Sequence, residues 1–404
     1  MACKSGPHPG GLWRTDAVLR HHARHRRPDI GRLAGPRPAQ RTPDRVRDVI
    51  GRALLLFVLT LGATAPAVAA GRTARLVLIA TGGTIANDPH GRLSADELVE
   101  QLPGRASLGQ ITTESFANAS STALSLDDWS RLSRHVTSIL TATDAPDGVV
   151  VTSGTDTLEE LAWFLHLTVP GPRPVVVVGA MRRPGTLGED GPRNLADALR
   201  VAAAAVSRDR GTLVVMHGQV HSAWSVRKHH TTSLSAFDEA GGVSAGAVTA
   251  GRVTYRPSAV VRPAPGLLQI ATDVTLPRVD ILETYQGADG DLIEAAAGAG
   301  AAGIVIAGAG AGSLTPSQAT AARRIARAGI PVVVASRTGD GLVGPVGGED
   351  VGLVSAGALS PLRARLLLVL ALARQTPIEE IGRLFASVSA ANSGLRPIAG
   401  GRSR

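Results

Sequence analysis

Of the 42 basic residues in this 404-residue chain, 40 are arginine, and the two lysines are Lys4 and Lys228. A guanidinium stays protonated at any physiological pH, whereas an ammonium can lose its proton when its surroundings favour the neutral amine. A lone lysine taken by itself is more often a chance survivor on a surface than a catalytic group. Lys228, however, stands in a polar stretch beyond an apolar run, TLVVMHGQVHSAWSVRKHHTTSLSAFDE, and two hydroxyl-rich turns follow similar runs elsewhere. These are Thr81-Gly82-Gly83-Thr84 in LVLIATGGTIAN and Thr155-Asp156 in GVVVTSGTDTLEEL. Strand-end hydroxyls, a carboxylate and this lysine can converge at the carboxyl edge of one sheet, where side chains able to bind and to move a proton would meet. Thiolate chemistry is excluded from the globular part, because the only cysteine is Cys3.

These groups need a frame that brings distant segments to one edge. LVLIA, GVVVT, VVVVG and TLVVM read as buried strands, alternating with helical patterns near 125–140, 157–168 and 193–207. That rhythm predicts an α/β fold: a larger N-terminal domain with a mainly parallel sheet, over 71–265. After a linker at 266–275, VDILETY, GIVIAG and PVVVAS predict a smaller C-terminal α/β domain over 276–390, closed by a helix from about Pro377 to Ser387. Residues 391–404 read as a frayed tail. In such sheets ligands bind at the carboxyl ends of the strands, where each of the polar turns falls. Locally, Asp156 with Glu159, or Thr157 with Glu160, has the spacing of a helix capping box. The loop after VVVVG carries Arg182, Asp190 and Asn194, read as groups that hold the loop. Trp129, Trp163 and Trp224 are expected in the core.

The formal charge of +9 is carried mostly by the first 50 residues, which hold eleven basic and four acidic side chains. No basic face is left for nucleic acid. Residues 1–44 read as a disordered or mis-assigned leader, with translation starting near Val46 or Val49 as one explanation. Residues 45–70, RVRDVIGRALLLFVLTLGATAPAVAA, have the basic start, short apolar run and small-residue end of a secretory signal peptide. Cleavage is expected near Ala69 or Ala70, giving a periplasmic or secreted product without a membrane anchor. His217, His221, His229 and His230 lack carboxylate partners at metal-ligand spacing, so no metal is expected.

The TGGT, GTDT and VRK stretches, with GAMRRPGTLGEDGPRN between them, resemble the bacterial L-asparaginase and glutaminase-asparaginase family over about residues 75–390. The resemblance implies hydrolysis of the side-chain amide of L-asparagine, and of L-glutamine as a second candidate. It makes Thr84 the nucleophile that forms an acyl-enzyme, and Thr155, Asp156 and Lys228 a second catalytic set in which lysine relays a proton through threonine. Asp156 would also hold the substrate's α-amino group and Ser121 its α-carboxylate, while backbone amides near Thr155 and Ala180 would stabilise the oxyanion. The resemblance implies no cofactor, and a homotetramer.

Departures from the family pattern are specific. A lid tyrosine is usual shortly after the nucleophile, yet the only tyrosines are Tyr255 and Tyr285, and the lid at 87–93 is short. His90 is a weak candidate for its replacement. Ser153 replaces a common histidine, Ala311 a common asparagine, and an intersubunit glutamate has no match beyond nearby Glu349. These differences keep a second reading open, an amino-acid-binding or low-activity homologue. Amidotransferase subunits that share the catalytic core are a third, at odds with an export signal.

Overall fold

The computed structural model describes residues 72–239, 242–257, 265–272, 274–344 and 352–393. The expected leader, the segment 45–70, Glu349 and residues 394–404 lie outside them. In chain order the first half forms β1 (Arg75–Gly82), β2 (Asn87–Asp88), β3 (Gly91–Arg92), α1 (Ala95–Glu100), β4 (Gln110–Ala119) and α2 (Leu126–Thr141). There follow β5 (Gly148–Thr152), α3 (Leu158–Thr168), β6 (Val175–Val178), α4 (Gly191–Ala203) and β7 (Thr212–Met216). Five short strands close it: β8 (Gln219–Ser222), β9 (Val226–Lys228), β10 (Phe237–Glu239), β11 (Gly246–Thr249) and β12 (Arg252–Tyr255).

The main sheet has eight strands in the order β12-β11-β8-β7-β6-β5-β1-β4. Pairing is parallel from β4 to β7 and antiparallel from β7 to β12. Side chains alternate across a strand, so each apolar run feeds two layers. Val77, Ile79, Val149, Val151, Val175 and Val177 meet Trp129, Leu132 and Val136 of α2 and the apolar side chains of α3. Leu76, Leu78, Val150, Val176 and Val178 face α1 and α4 on the other side. The chain crosses from β1 to β4 on one side and returns to β5 on the other, leaving a crevice at the carboxyl ends of β1 and β5.

The second half forms β13 (Val279–Glu283), α5 (Asp291–Gly298), β14 (Gly303–Gly308), α6 (Pro316–Arg327), β15 (Val332–Ser336), β16 (Leu353–Ser355), α7 (Pro361–Ala373) and α8 (Ile378–Ser393). Strands β13 to β16 make an all-parallel sheet in sequence order. The last helix runs beyond the expected end near Ser387, to Ser393. Helix α3 is buried on every side, which its sequence LEELAWFLHLT permits because its apolar residues are not confined to one stripe. It is covered partly by α7, where Trp163 Nε1 donates to the Arg363 carbonyl at 3.2 Å. Trp163 and Trp224 pack edge to face and Trp129 tilts against Phe164, the core roles expected of all three.

Two parts of this frame have no apolar run to announce them. Strand β4, QITTESFANA, is an edge strand of half-exposed polar residues. The antiparallel extension β8, β11 and β12 consists of strands of four residues each.

Candidate active site

The strand ends at the crevice are locked to each other before any catalytic side chain is placed. Thr81 Oγ1 donates to the Thr152 carbonyl at 2.7 Å, and Thr81 N donates to Thr152 Oγ1 at 3.2 Å. Beyond this lock the backbone turns through Gly82 at φ 102° and Gly83 at φ 86°, conformations that L side chains rarely adopt. A Cβ on Gly83 would lie 2.3 Å from Gly154 N and one on Gly82 2.4 Å from the Ala119 carbonyl oxygen. The turn that presents Thr84 is thus seated directly on the turn that precedes Thr155. We expect Gly83→Ala to lower stability by about 2–4 kcal/mol through φ strain and displacement of the 153–154 backbone. Denaturant unfolding checks this, and an unchanged midpoint would refute the close approach.

Two further close approaches complete the ring of segments. A Cβ on Gly154 would lie 2.7 Å from Ser121 Oγ, and one on Gly179 would lie 3.1 Å from Thr155 Cγ2. The loops bearing Thr84, Ser121, Thr155 and Ala180 therefore share one neighbourhood. Ser121, Thr155 and Ala180 are buried there, and Thr84 is half-buried. The loop after β6 is held by Asp190, which accepts from Met181 N at 3.0 Å, Arg182 N at 2.9 Å and Asn194 Nδ2 at 2.9 Å. Asn194 Nδ2 also donates to the Gly179 carbonyl, so these polar residues hold the loop as expected.

Lys228, at the end of β9, reaches into this ring. Its Nζ donates to Thr155 Oγ1 at 3.0 Å and to Asp156 Oδ1 at 2.7 Å. The lysine side chain is 14% exposed and that of Asp156 71%, so an ammonium buried from one side meets a carboxylate open to solvent. Geometrically this is a hydroxyl within proton-transfer distance of an amine, beside an accessible anion. The lone lysine of the globular part is no stray surface residue.

The capping-box expectation fails. Thr157, the residue before helix α3, makes no side-chain cap, and its Oγ1 is buried without a hydrogen-bond partner. Asp156 is turned to the lysine instead, and Glu159 Oε2 accepts the backbone N–H of Lys228 at 2.8 Å. Burial pushes the Glu159 carboxyl above the usual carboxylate range, opposed chiefly by the Arg363 guanidinium. Neither Glu159 nor Arg363 was singled out as a site residue from sequence.

The histidines do not converge as their spacing on a helix would require. His217 occupies the turn between β7 and β8 at φ 49°, while His221 is buried within β8 with Nδ1 3.9 Å from Glu239 Oε1. His229 faces Asp238 at 3.4 Å and His230 caps its own turn by accepting from Thr232 N and Ser233 N. Among the described residues no group of three or more His, Cys, Asp or Glu could hold a metal ion.

Residues 75–261 match the family profile described as "Asparaginase, N-terminal", and residues 278–385 match "Glutaminase/Asparaginase C-terminal domain". The chain is 36% identical over 325 residues to L-asparaginase 2 of Bacillus subtilis (strain 168), covering 76% of this chain and 85% of the relative. The chain belongs to the asparaginase family. It is accordingly an amidohydrolase. A probable periplasmic L-asparaginase of Haemophilus influenzae is 33% identical over 77% of this chain and 92% of its own length. Among solved structures, a probable cytoplasmic L-asparaginase from Campylobacter jejuni superposes with a TM-score of 0.73 at 34% identity, covering 78% of this chain and 99% of that one.

Within this asparaginase-family fold the segment after Thr84 is a two-residue-paired hairpin, β2 with β3, in which His90 is exposed and its N–H is used by Asp88. Both tyrosines are elsewhere. Tyr255 is bound to Ser207 at 2.8 Å under the Arg210 guanidinium, and Tyr285 follows β13 in the second sheet. Ala311 is exposed in the turn after β14.

Proposed function

We propose that this chain hydrolyses the side-chain amide of L-asparagine to L-aspartate and ammonia, with L-glutamine as a second candidate substrate. The observation that carries the reading is the contact of Lys228 Nζ with both Thr155 and Asp156 beside the Gly83 turn that presents Thr84. Thr84 Oγ1 attacks the amide carbonyl carbon, its proton passes to a base and on to the amide nitrogen, and the C–N bond breaks as that nitrogen leaves as ammonia. The resulting ester on Thr84 is hydrolysed by water. Thr155 and Lys228 carry protons, Asp156 binds the substrate's α-amino group, Ser121 its α-carboxylate, and backbone amides near Thr155 and Ala180 hold the oxyanion.

Curated relatives named L-asparaginase support the amide chemistry. The order of preference between the two amides rests on one methylene, worth about 1–3 kcal/mol in a pocket. A second reading, an amino-acid-binding protein of low turnover, is favoured by one observation: no tyrosine occupies the hairpin after Thr84. Ammonia release from L-asparagine and L-glutamine separates the two. Turnover of at least about 1 per second supports the hydrolase. Saturable binding of either amino acid without ammonia would establish the binding protein.

The domain division at residues 266–275 and the homotetramer are part of the same proposal, the latter checked by light scattering. Export rests on residues 45–70, and the relatives' names point to both periplasm and cytoplasm. Among the described residues no helix is long and apolar enough to cross a membrane. N-terminal sequencing of the product recovered from a secreting host tests cleavage near Ala69 or Ala70.

A further inference from the structure

Strand β9 is only three residues long and pairs on one side alone, antiparallel to β10, with Lys228 opposite Phe237. A two-stranded ribbon of this size is marginal by itself, so the position of Lys228 has to come from other ties. Arg363 of α7, buried, donates through Nη2 to the Val226 carbonyl. Arg227 bridges Asp238 of β10 at 2.9 Å and Asp340, beyond β15, at 3.4 Å. The third tie acts on the backbone of Lys228 itself, the hydrogen bond from its N–H to Glu159 Oε2 at 2.8 Å.

We propose that Glu159 is a positioning residue for Lys228, holding the lysine's backbone while Thr155 and Asp156, on the same turn, hold its amine. Residues 155–159 thereby grip both ends of one side chain from a single piece of backbone, the loop and first turn of α3. This double grip fixes the distance from the lysine amine to the Thr155 hydroxyl. The reach of the glutamate suits this task, since it brings Oε2 to 2.8 Å from the Lys228 N–H out of the first turn of α3. The first turn of a helix favours its negative charge. The charged groups facing it are Arg363 of α7, Arg227 of β9 and Asp238 of β10. Glu160 beside it turns away toward Arg365, 4.0 Å distant. The competing account is that Glu159 serves only to balance the buried Arg363.

The inference rests on the proposed catalytic role of Lys228, and two conservative variants separate it from the competing account. Glu159→Asp keeps the charge but withdraws the oxygen by a methylene, and Glu159→Gln keeps the reach but removes the charge. Since Lys228 is the only lysine besides Lys4, lysine labelled at Cε gives a single resonance in the chain processed near Ala69 or Ala70, assigned by its loss in Lys228→Arg. For a reacting group moved by about an ångström we expect Glu159→Asp to lose about tenfold or more in kcat, with KM within about threefold, and to shift the Lys228 resonance. Glu159→Gln should restore kcat to within about threefold. Positioning is overturned if Glu159→Asp matches wild type in kcat and resonance, or if Glu159→Gln is the only damaged variant and melts lower, which is the signature of charge balance. Should Lys228→Arg retain full activity, the catalytic reading fails instead, and the resonance comparison alone decides whether Glu159 positions the lysine.

Discussion

Thr84→Ala is expected to cost roughly a thousandfold or more in kcat/KM for amide hydrolysis while leaving the melting temperature nearly unchanged. The fold does not depend on this hydroxyl. Thr84 is half-buried at the start of a single 3₁₀ turn, and its neighbours Ile85 and Ala86 supply the buried apolar contacts. The chemistry has no ready substitute, since the only cysteine is Cys3 and the nearby Thr155 hydroxyl is engaged by Lys228. Thr84→Ser, which keeps the hydroxyl and loses only a methyl, should recover most of the activity. The competing assignment makes Thr155 the nucleophile with Lys228 as its immediate base, a pairing that 3.0 Å of separation allows. Rapid quenching during turnover followed by peptide mass spectrometry distinguishes them. An aspartyl adduct on the peptide containing Thr84 supports the proposal, and an adduct on the peptide containing Thr155, with activity surviving in Thr84→Ala, would reverse the roles.

What makes that experiment designable is that the parallel strands could be read from the chain. LVLIA, GVVVT, VVVVG and TLVVM are buried on both faces, so each shows as an unbroken apolar run whose polar end marks the sheet's carboxyl edge. Strand β4 shows no such run, because an edge position leaves its side chains half in water. Yet β4 supplies the Ala119 carbonyl against which Gly82 and Gly83 close. The pair of glycines in TGGT signalled a tight turn without saying what the backbone approaches.

Glu159 shows the same limit within the site. A threonine or aspartate three residues before a glutamate is the local signature of a helix cap, and spacing alone offers no reason to look further. The actual partner lies 69 positions along the chain, brought in by a strand that is short and flanked by polar residues. Arg363 is hidden for a related reason. It sits among leucines in α7 and reads as a surface break in an apolar helix, whereas the fold buries it and spends its guanidinium on the Val226 carbonyl. Contacts of this kind follow from how α3, α7 and β9 pack, which no local pattern encodes. Lysine usage, by contrast, is informative because it is a property of the whole composition: with 40 arginines available, one lysine is kept at 228, where its amine meets Thr155 and Asp156.

That ammonium is the subject of the second large effect. Lys228→Arg should lower kcat by about a hundredfold or more, the range seen when a group that moves a proton in the transition state is lost. The substitution keeps the positive charge opposite Asp156 but puts a planar, permanently protonated fork where the geometry offers one amine two acceptors, Thr155 at 3.0 Å and Asp156 at 2.7 Å. Stability should change little, because Asp156 is 71% exposed and such a pair contributes on the order of 1 kcal/mol or less. Lys228→Met removes charge and proton together, and comparing the two variants separates the functions. If binding of the substrate needs only a cation near Asp156, arginine will support near wild-type turnover and methionine will not. If the amine must give up and regain a proton through Thr155, arginine and methionine will fail alike in kcat, with KM less affected in arginine. The second pattern is expected, since a chain needing only charge at this position could have used the arginine it places almost everywhere else.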